Sequence, residues 1–385
     1  MNKLLIGSTI GYLILIYASP LFQKIPGVVL LREGYVLLLL FLCSINIFRM
    51  RVNKLNSLII VYTFVNLISF FLSPNKSDAV GCFICYVSGP LVFFGLTNIV
   101  ISKELFFIMR KKLNYLFFCI IILSLLIYPL QEKIYALFGF TRGMKDFLFE
   151  TMYRIENGGL VRMRLSGFCL HPTTMGYICI LFLIYNVWLS KRIRSAWALF
   201  PYYLTDTRSV IFGIPFAFYQ RLNKKYKILM LFTVIPLMVM GVIYFAVNLN
   251  SIRLDDSAFK HFTDLFFLGP MLVADNLTLF GFGHATMSPY FTHGSFLHVE
   301  SELYIALIQI GIVGVAIYFL ILRELYKGLM KDPSVEGNYC LYLLFIFNIG
   351  CLFLALYAVR FISNYMWIEL GLYFSYRRNL KVCHK

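Results

Sequence analysis

Arg110-Lys-Lys-Leu-Asn-Tyr-Leu-Phe-Phe-Cys-Ile-Ile-Ile-Leu-Ser-Leu-Leu-Ile-Tyr-Pro-Leu130 decides the fold class. Three cations lead into a run, 113–130, that holds no charged residue. A helix needs about 20 mostly apolar residues to cross a hydrocarbon core. Comparable runs recur at 4–22, 34–48, 56–73, 79–101, 168–189, 194–204, 208–220, 228–248, 301–322, 338–358 and 361–376. They are continuous and do not alternate, which excludes an outer-membrane barrel. The 385-residue chain is 60% hydrophobic and 14% charged, with mean hydropathy +0.78. A soluble domain is nearer half apolar and a quarter charged. The expectation is an all-α integral membrane protein, one polytopic domain over 1–385, with about 12 transmembrane helices.

The cations then orient the chain. Arg49, Arg51, Lys54, Lys103, Arg110, Lys111, Lys112, Lys191, Arg192, Arg194, Arg221, Lys224, Lys225, Lys227, Arg323, Lys327 and Lys331 fall in alternate connectors. Lys3, Arg377, Arg378, Lys381 and Lys385 flank the terminal runs on the same side. Only Glu104, Glu324, Asp332 and Glu336 accompany them. By the positive-inside rule both termini are cytoplasmic and the number of spans is even. The net charge of +17 is therefore a topology signal and a contact with anionic headgroups, not a nucleic-acid surface. Cys82 and Cys85 form a CxxC inside an apolar run, where packing as small hydrophobes is the expected role. Nothing in the pattern calls for a metal or a cofactor. The first run lacks a small-residue cleavage site and reads as a retained helix.

Two runs, 194–204 and 208–220, are short. Eleven α-helical residues cover roughly 16 Å of a ~30 Å core. The pair is expected to be broken or re-entrant around Leu204-Thr-Asp-Thr-Arg-Ser209. Asp206 and Arg208 then form either a surface pair on a turn or an intramembrane charge that marks a site.

Two long loops face outward, 131–167 and 249–300. In the first, Ile134–Phe149 reads as an amphipathic interfacial helix with Phe138, Phe140, Phe147 and Phe149 toward lipid. The second carries Asp255, Asp256, Asp264 and Asp275 with four of the six histidines: His261, His284, His293 and His298. Three stretches carry chemistry. Arg162-Met-Arg164-Leu-Ser-Gly167-Phe-Cys-Leu-His171-Pro172-Thr-Thr-Met-Gly176 sets two arginines at a helix mouth, against the inside rule. Thr173 and Thr174 can cap that helix or bind phosphate, and arginines beside helix-start amides receive diphosphate well. Thr205–Ser209 supplies Arg208. The third stretch joins Leu279-Phe-Gly-Phe-Gly283 to His298-Val-Glu300-Ser-Glu302-Leu-Tyr304 and Gly311-Ile-Val-Gly314. His298 beside Glu300 offers a base near neutral pH and a carboxylate to orient it. Arg360, near the external start of the last span, can join the cation cluster.

At these places, over roughly 160–325, the chain resembles the Wzy-type O-antigen polymerase and O-antigen ligase superfamily. The likeness rests on the order and sidedness of short patterns: Arg164-x-x-Gly167 followed by Pro172-Thr173, Leu204-Thr-x-x-Arg208, Leu279-x-Gly-x-Gly283, and a histidine-bearing loop end before Gly311-x-x-Gly314. It departs from the family at Thr207, where Ser is frequent, and at Thr173 and Val299, where Asn is frequent.

The resemblance implies a GT-C-like, metal-independent glycosyltransferase in the bacterial inner membrane. The donor would be an undecaprenyl-diphosphate-linked glycan, and the acceptor a sugar hydroxyl of another lipid-linked repeat unit on the periplasmic face. Arg162, Arg164, Arg208 and Arg360 would hold the diphosphate, and His298 or Glu300 would take the proton. A chain-length regulator is an optional partner. The alternatives are an O-antigen ligase, which shares these motifs, and a lipid-sugar or polysaccharide transporter.

Overall fold

The computed structural model describes residues 2–22, 31–35, 53–140, 153–156, 159–188, 193–207, 264–286, 301–352 and 360–383, with isolated positions between 25 and 38. Long helices dominate: α1 (Asn2–Phe22), α2 (Lys54–Leu72), α3 (Lys76–Thr97) and α4 (Lys103–Ile127). These four are long and apolar enough to cross a bilayer. Next come a short α5 (Gln131–Leu137), a hairpin of β1 (Tyr153–Glu156) and β2 (Gly159–Met163), and α6 (Pro172–Trp188). The remaining helices are α7 (Leu199–Thr205), α8 (Gly269–Asn276), α9 (Glu302–Gln309), α10 (Gly311–Met330), α11 (Val335–Cys351) and α12 (Arg360–Cys383). The chain is a membrane-embedded helical protein.

Side-chain sorting on α2 gives the physical reason. Its buried face holds Asn56, Tyr62, Asn66 and Ser69 beside Ile59 and Val65. Its exposed face holds Ile60, Val61, Phe64, Leu67, Ile68, Phe71 and Leu72. Polar groups inside and apolar groups outside is the reverse of a soluble helix, and it fits a lipid solvent. Helix starts are capped locally. Asn53 accepts from the Asn56 amide at 2.8 Å, Ser102 from Leu105 at 3.2 Å, and Ser334 from Gly337 at 3.1 Å. Each cap satisfies an amide that helix geometry leaves open. At the other termini of this basic face, Arg377 donates to the Gly328 carbonyl at 2.6 Å and Arg378 to Thr97 at 3.2 Å. Cations there meet the negative ends of helices.

Four expectations need correction. First, α4 starts at Lys103, and Arg110 lies inside it, 1% exposed. It does not belong to a surface connector. Second, no helix spans 134–149. Gly139 at φ 81° ends the turn after α5, and Phe140 donates back to the Tyr135 carbonyl at 2.9 Å. Phe138 and the buried Phe140 then pack on Leu21, Tyr135 and Leu170 and do not face lipid. Phe147 and Phe149 lie outside the described residues. Third, the fold is not purely helical, because the first long loop folds in part into the hairpin, with Arg154 opposite Arg162.

Fourth, 301–322 is not one helix. It breaks at Ile310–Gly311, where Gly311 adopts φ 69°. The segment 278–283 fills the break. Phe282 donates to the Ile308 carbonyl at 2.8 Å and Gly283 to Gln309 at 3.2 Å, while Ile312 donates to Thr278 and Val313 to Leu279, both at 3.1 Å. A Cβ on Gly311 would collide with the Gly281 amide and the Leu279 carbonyl, and one on Gly281 would collide with the Gln309 carbonyl. Gly281 and Gly311, one from each glycine pair of the third motif, thus meet in one backbone-to-backbone junction. It satisfies groups that a broken helix would leave bare inside the membrane.

The short run 194–204 is not a single α-helix. Ile193–Ala198 is a 3-10 helix of six residues and α7 adds seven. At about 2.0 Å and 1.5 Å per residue these reach roughly 22 Å. The second short run, 208–220, lies outside the described residues, as do 34–48 beyond its first positions and 228–248.

Candidate functional site

The first two motifs converge. Arg164 donates through Nε to the Thr205 carbonyl at 2.8 Å and through Nη2 to the Asp206 carbonyl at 3.1 Å. Its neighbour Leu165 donates to the Leu204 carbonyl at 2.9 Å. Thr207 Oγ1 donates to the Pro172 carbonyl at 3.2 Å. Gly176 leaves the space that the Thr207 side chain occupies. The turn that holds Arg164 is braced from below. Gln131 donates to the Arg164 carbonyl at 2.9 Å and accepts from the Ser166 and Gly167 amides. Tyr17 accepts from the Phe168 amide at 3.2 Å and pairs with Ser124 at 2.7 Å. Gly167, at φ 58°, sits directly on those two hydroxyls. Thr173 and Thr174 are buried in the first turn of α6. Asp206 ends α7 in the left-handed region, φ 50°, so the chain reverses just before residue 208.

Of the site residues expected from sequence, Arg164 stands at this convergence. Arg162 lies two residues earlier on β2. Arg208, His298 and Glu300 lie outside the described residues. Arg360 is buried at the head of α12, and a carboxylate holds it. Its Nη1 and Nη2 donate to Glu33 Oε1 at 3.1 Å and Oε2 at 3.0 Å. Arg32 donates to the same Glu33 at 2.6 Å and to Ser19 at 3.1 Å. This three-residue cluster has two cations and one acid, and the bidentate geometry is the strong form of such a pair. The sequence reading named neither Arg32 nor Glu33. Both sit at the edge of an apolar run, where a charge is costly, and that was the available signal.

A second acid is buried on the other flank of α3. Glu302, at the start of α9, accepts a hydrogen bond from the Tyr86 hydroxyl. It heads a chamber of about 110 Å³ that Tyr62, Pro90, Tyr318, Phe319, Asn348, Cys351, Ser363 and Trp367 also line. Cys85, next to Tyr86, lies within electrostatic reach of Arg360, Arg32, Glu33 and Glu302. His284, next after the segment that fills the helix break, sets its ring 5.2 Å from that of Tyr86, tilted, and 6.0 Å from that of Phe83, edge-on. Burial pushes its pKa down to about 4, partly opposed by Gln309 and the Asn66 backbone. It is neutral at pH 7.

Deeper in α12, Glu369 binds Arg110 Nε at 2.8 Å. Cys340 and the rings of Phe106 and Tyr339 enclose that guanidinium. Glu369 fell inside the expected span 361–376, so a charge within a span again gave the signal that was missed. Among the described residues, Arg164 and the Arg32–Glu33–Arg360 cluster bring guanidinium groups into the bundle, and Glu302 sets a carboxyl group beside an aromatic chamber. Among the described residues no cluster of three or more metal-ligating side chains occurs. No protein-family model matches this sequence, and no curated protein matches it.

Proposed function

We propose that this chain is an integral-membrane glycosyltransferase that polymerises a surface polysaccharide. It would move an undecaprenyl-diphosphate-linked glycan onto a sugar hydroxyl of another lipid-linked unit at the periplasmic face. The architecture would be GT-C-like, with about 12 spans and both termini cytoplasmic. One observation carries the reading. Arg164 and the stretch leading into Arg208, some forty residues apart in sequence, are held together by direct hydrogen bonds at the first turn of α6. Main-chain carbonyls fix the direction of the Arg164 guanidinium, and a donor aimed in advance is what a leaving diphosphate requires.

In this reading Arg164 and Arg208, with Arg162 on the hairpin, meet the charge that develops on the diphosphate as the glycosidic bond breaks. His298 or Glu300 accepts the proton of the attacking hydroxyl. Arg360 acts through Glu33 and Arg32, because both of its terminal nitrogens are engaged there.

The test is a gel of surface polysaccharide from a strain lacking the chromosomal copy, complemented with variants. Arg208→Ala and Arg164→Lys are expected to abolish the long-chain ladder at normal membrane levels. Loss of one such donor lowers rate by about 10²–10³-fold. Core carrying a single repeat identifies a polymerase, and bare core identifies a ligase. A wild-type ladder from Arg208→Ala would sink the assignment.

A further inference from the structure

We infer that the chamber headed by Glu302 is the acceptor-sugar subsite, and that the Glu302 carboxylate takes the proton of the attacking hydroxyl. This rests on the glycosyl-transfer reading, adds a place to it, and moves the base from His298 or Glu300 to Glu302. A pyranose offers C–H faces and a rim of hydroxyls, so it is held by aromatic walls with a few polar acceptors. Tyr62, Tyr86, Tyr318 and Trp367 supply the aromatic walls among aliphatic neighbours such as Leu303, Ile310 and Val315, and Glu302 supplies the acceptor, while the Asn348 side chain is held by Tyr318 and the Leu344 carbonyl. The volume of about 110 Å³ suits one sugar ring and not an oligosaccharide, since one water needs about 10–15 Å³ on the same measure. A carboxylate repels a diphosphate and accepts from a hydroxyl, so the charge selects the acceptor and not the donor's anionic end.

Position supports the assignment. Ser363 lines the chamber one helical turn below Arg360 on α12, and residues at that spacing share a face. Glu302 and the Arg32–Glu33–Arg360 cluster lie within electrostatic reach of the same residue, Cys85. The carboxylate is fixed by the Tyr86 hydroxyl. In the step itself the acceptor O–H gives its proton to a Glu302 oxygen. The freed oxygen pair forms the bond to the donor's anomeric carbon. The anomeric C–O bond to the diphosphate breaks, and its electron pair leaves on the diphosphate, among the arginines. Glu302 then releases its proton to water.

The experiment uses the purified full-length protein in detergent with lipid-linked repeat units as substrate, and reads polymer formed against time and pH. Glu302→Gln, nearly the same shape, is expected to lower the rate by about 10²-fold or more, as loss of a general base does, with unfolding temperature unchanged. Tyr86→Phe is expected to lower it less and to shift the acid limb of the pH–rate profile, which a packing defect would not do. Ala306→Phe fills the chamber and is expected to raise the acceptor KM. A wild-type rate from Glu302→Gln overturns the inference. So does loss of activity in Ala306→Phe with none in Glu302→Gln, which would give the chamber to an apolar lipid chain. Arg208→Ala in the same assay separates the two readings. If it is inactive while Glu302→Gln is active, only the present inference fails; if it is fully active, the glycosyl-transfer reading fails.

Discussion

Helix α12 carries two ion pairs about two and a half turns apart, and they are built for different purposes. At its head, Arg360 and Glu33 have side chains 8% and 19% exposed and share Glu33 with a second guanidinium, Arg32. Farther along, Glu369 and Arg110 are 0% and 1% exposed. Tyr365 donates to Glu369 at 3.3 Å, and Tyr339 pairs with Tyr365 at 2.8 Å. The inner pair is sealed, with one charge against one, and it ties α4, α11 and α12 together. The outer set leaves one cation over and keeps an edge toward solvent. Equal desolvation chemistry thus yields a sealed fastener in one place and a partly exposed, cation-rich cluster in the other. The difference lies in stoichiometry and in exposure.

The largest effect is expected from opening the sealed pair. Glu369→Ala strands a buried guanidinium and should destabilise the purified protein by roughly 3–5 kcal/mol, read from denaturant unfolding in detergent. The double replacement Arg110→Met with Glu369→Leu should recover most of that loss, because a packed apolar pair removes both desolvation terms. If the single variant unfolds no earlier than wild type, the pair is not a fastener.

A second measurement compares the inner pair with a buried group near the outer site. His284 has a folded pKa of about 4, below its unfolded value near 6.5. A depressed pKa means that the neutral form is the one the fold accommodates. Stability from this group is complete above about pH 6.5 and falls as the pH drops toward 4, by on the order of 3 kcal/mol. His284→Phe should flatten that slope in unfolding temperature against pH. An unchanged slope would place the histidine's proton in contact with solvent.

The smallest effect is expected at the outer pair. Glu33→Gln should cost about 1–3 kcal/mol, the range for a hydrogen bond to a charged group, and less than Glu369→Ala. Equal losses at the two sites would erase the contrast between them.

Much of the architecture was legible in the residues. Long uncharged runs and one-sided cations marked the helices and the basic face, and α1, α2, α3, α6 and α11 fall close to their expected bounds. Arg164 was legible as a candidate because an arginine beside Gly167 and Pro172, at the edge of an apolar run, is costly without a partner. Other features were not. The hydropathy of 113–130 hid the earlier start of α4, since Arg110 is neutralised by a residue 259 positions away. The break in 301–322 depends on a docked segment that supplies the missing backbone partners. The brevity of 194–204 was visible, but only its neighbours show that a 3-10 stretch extends it. Glu302 was noticed as one acid among several, and its burial against Tyr86 depends on how α3 and α9 meet.

Composition and periodicity alone determined that this chain lives in a bilayer, because apolar length and charge bias act locally and survive any arrangement of the helices. Which charges cancel and which remain for a ligand was decided only by tertiary contact. A guanidinium in low dielectric takes its character from the one carboxylate or carbonyl within 3 Å of it, and no spacing along the sequence specifies that neighbour.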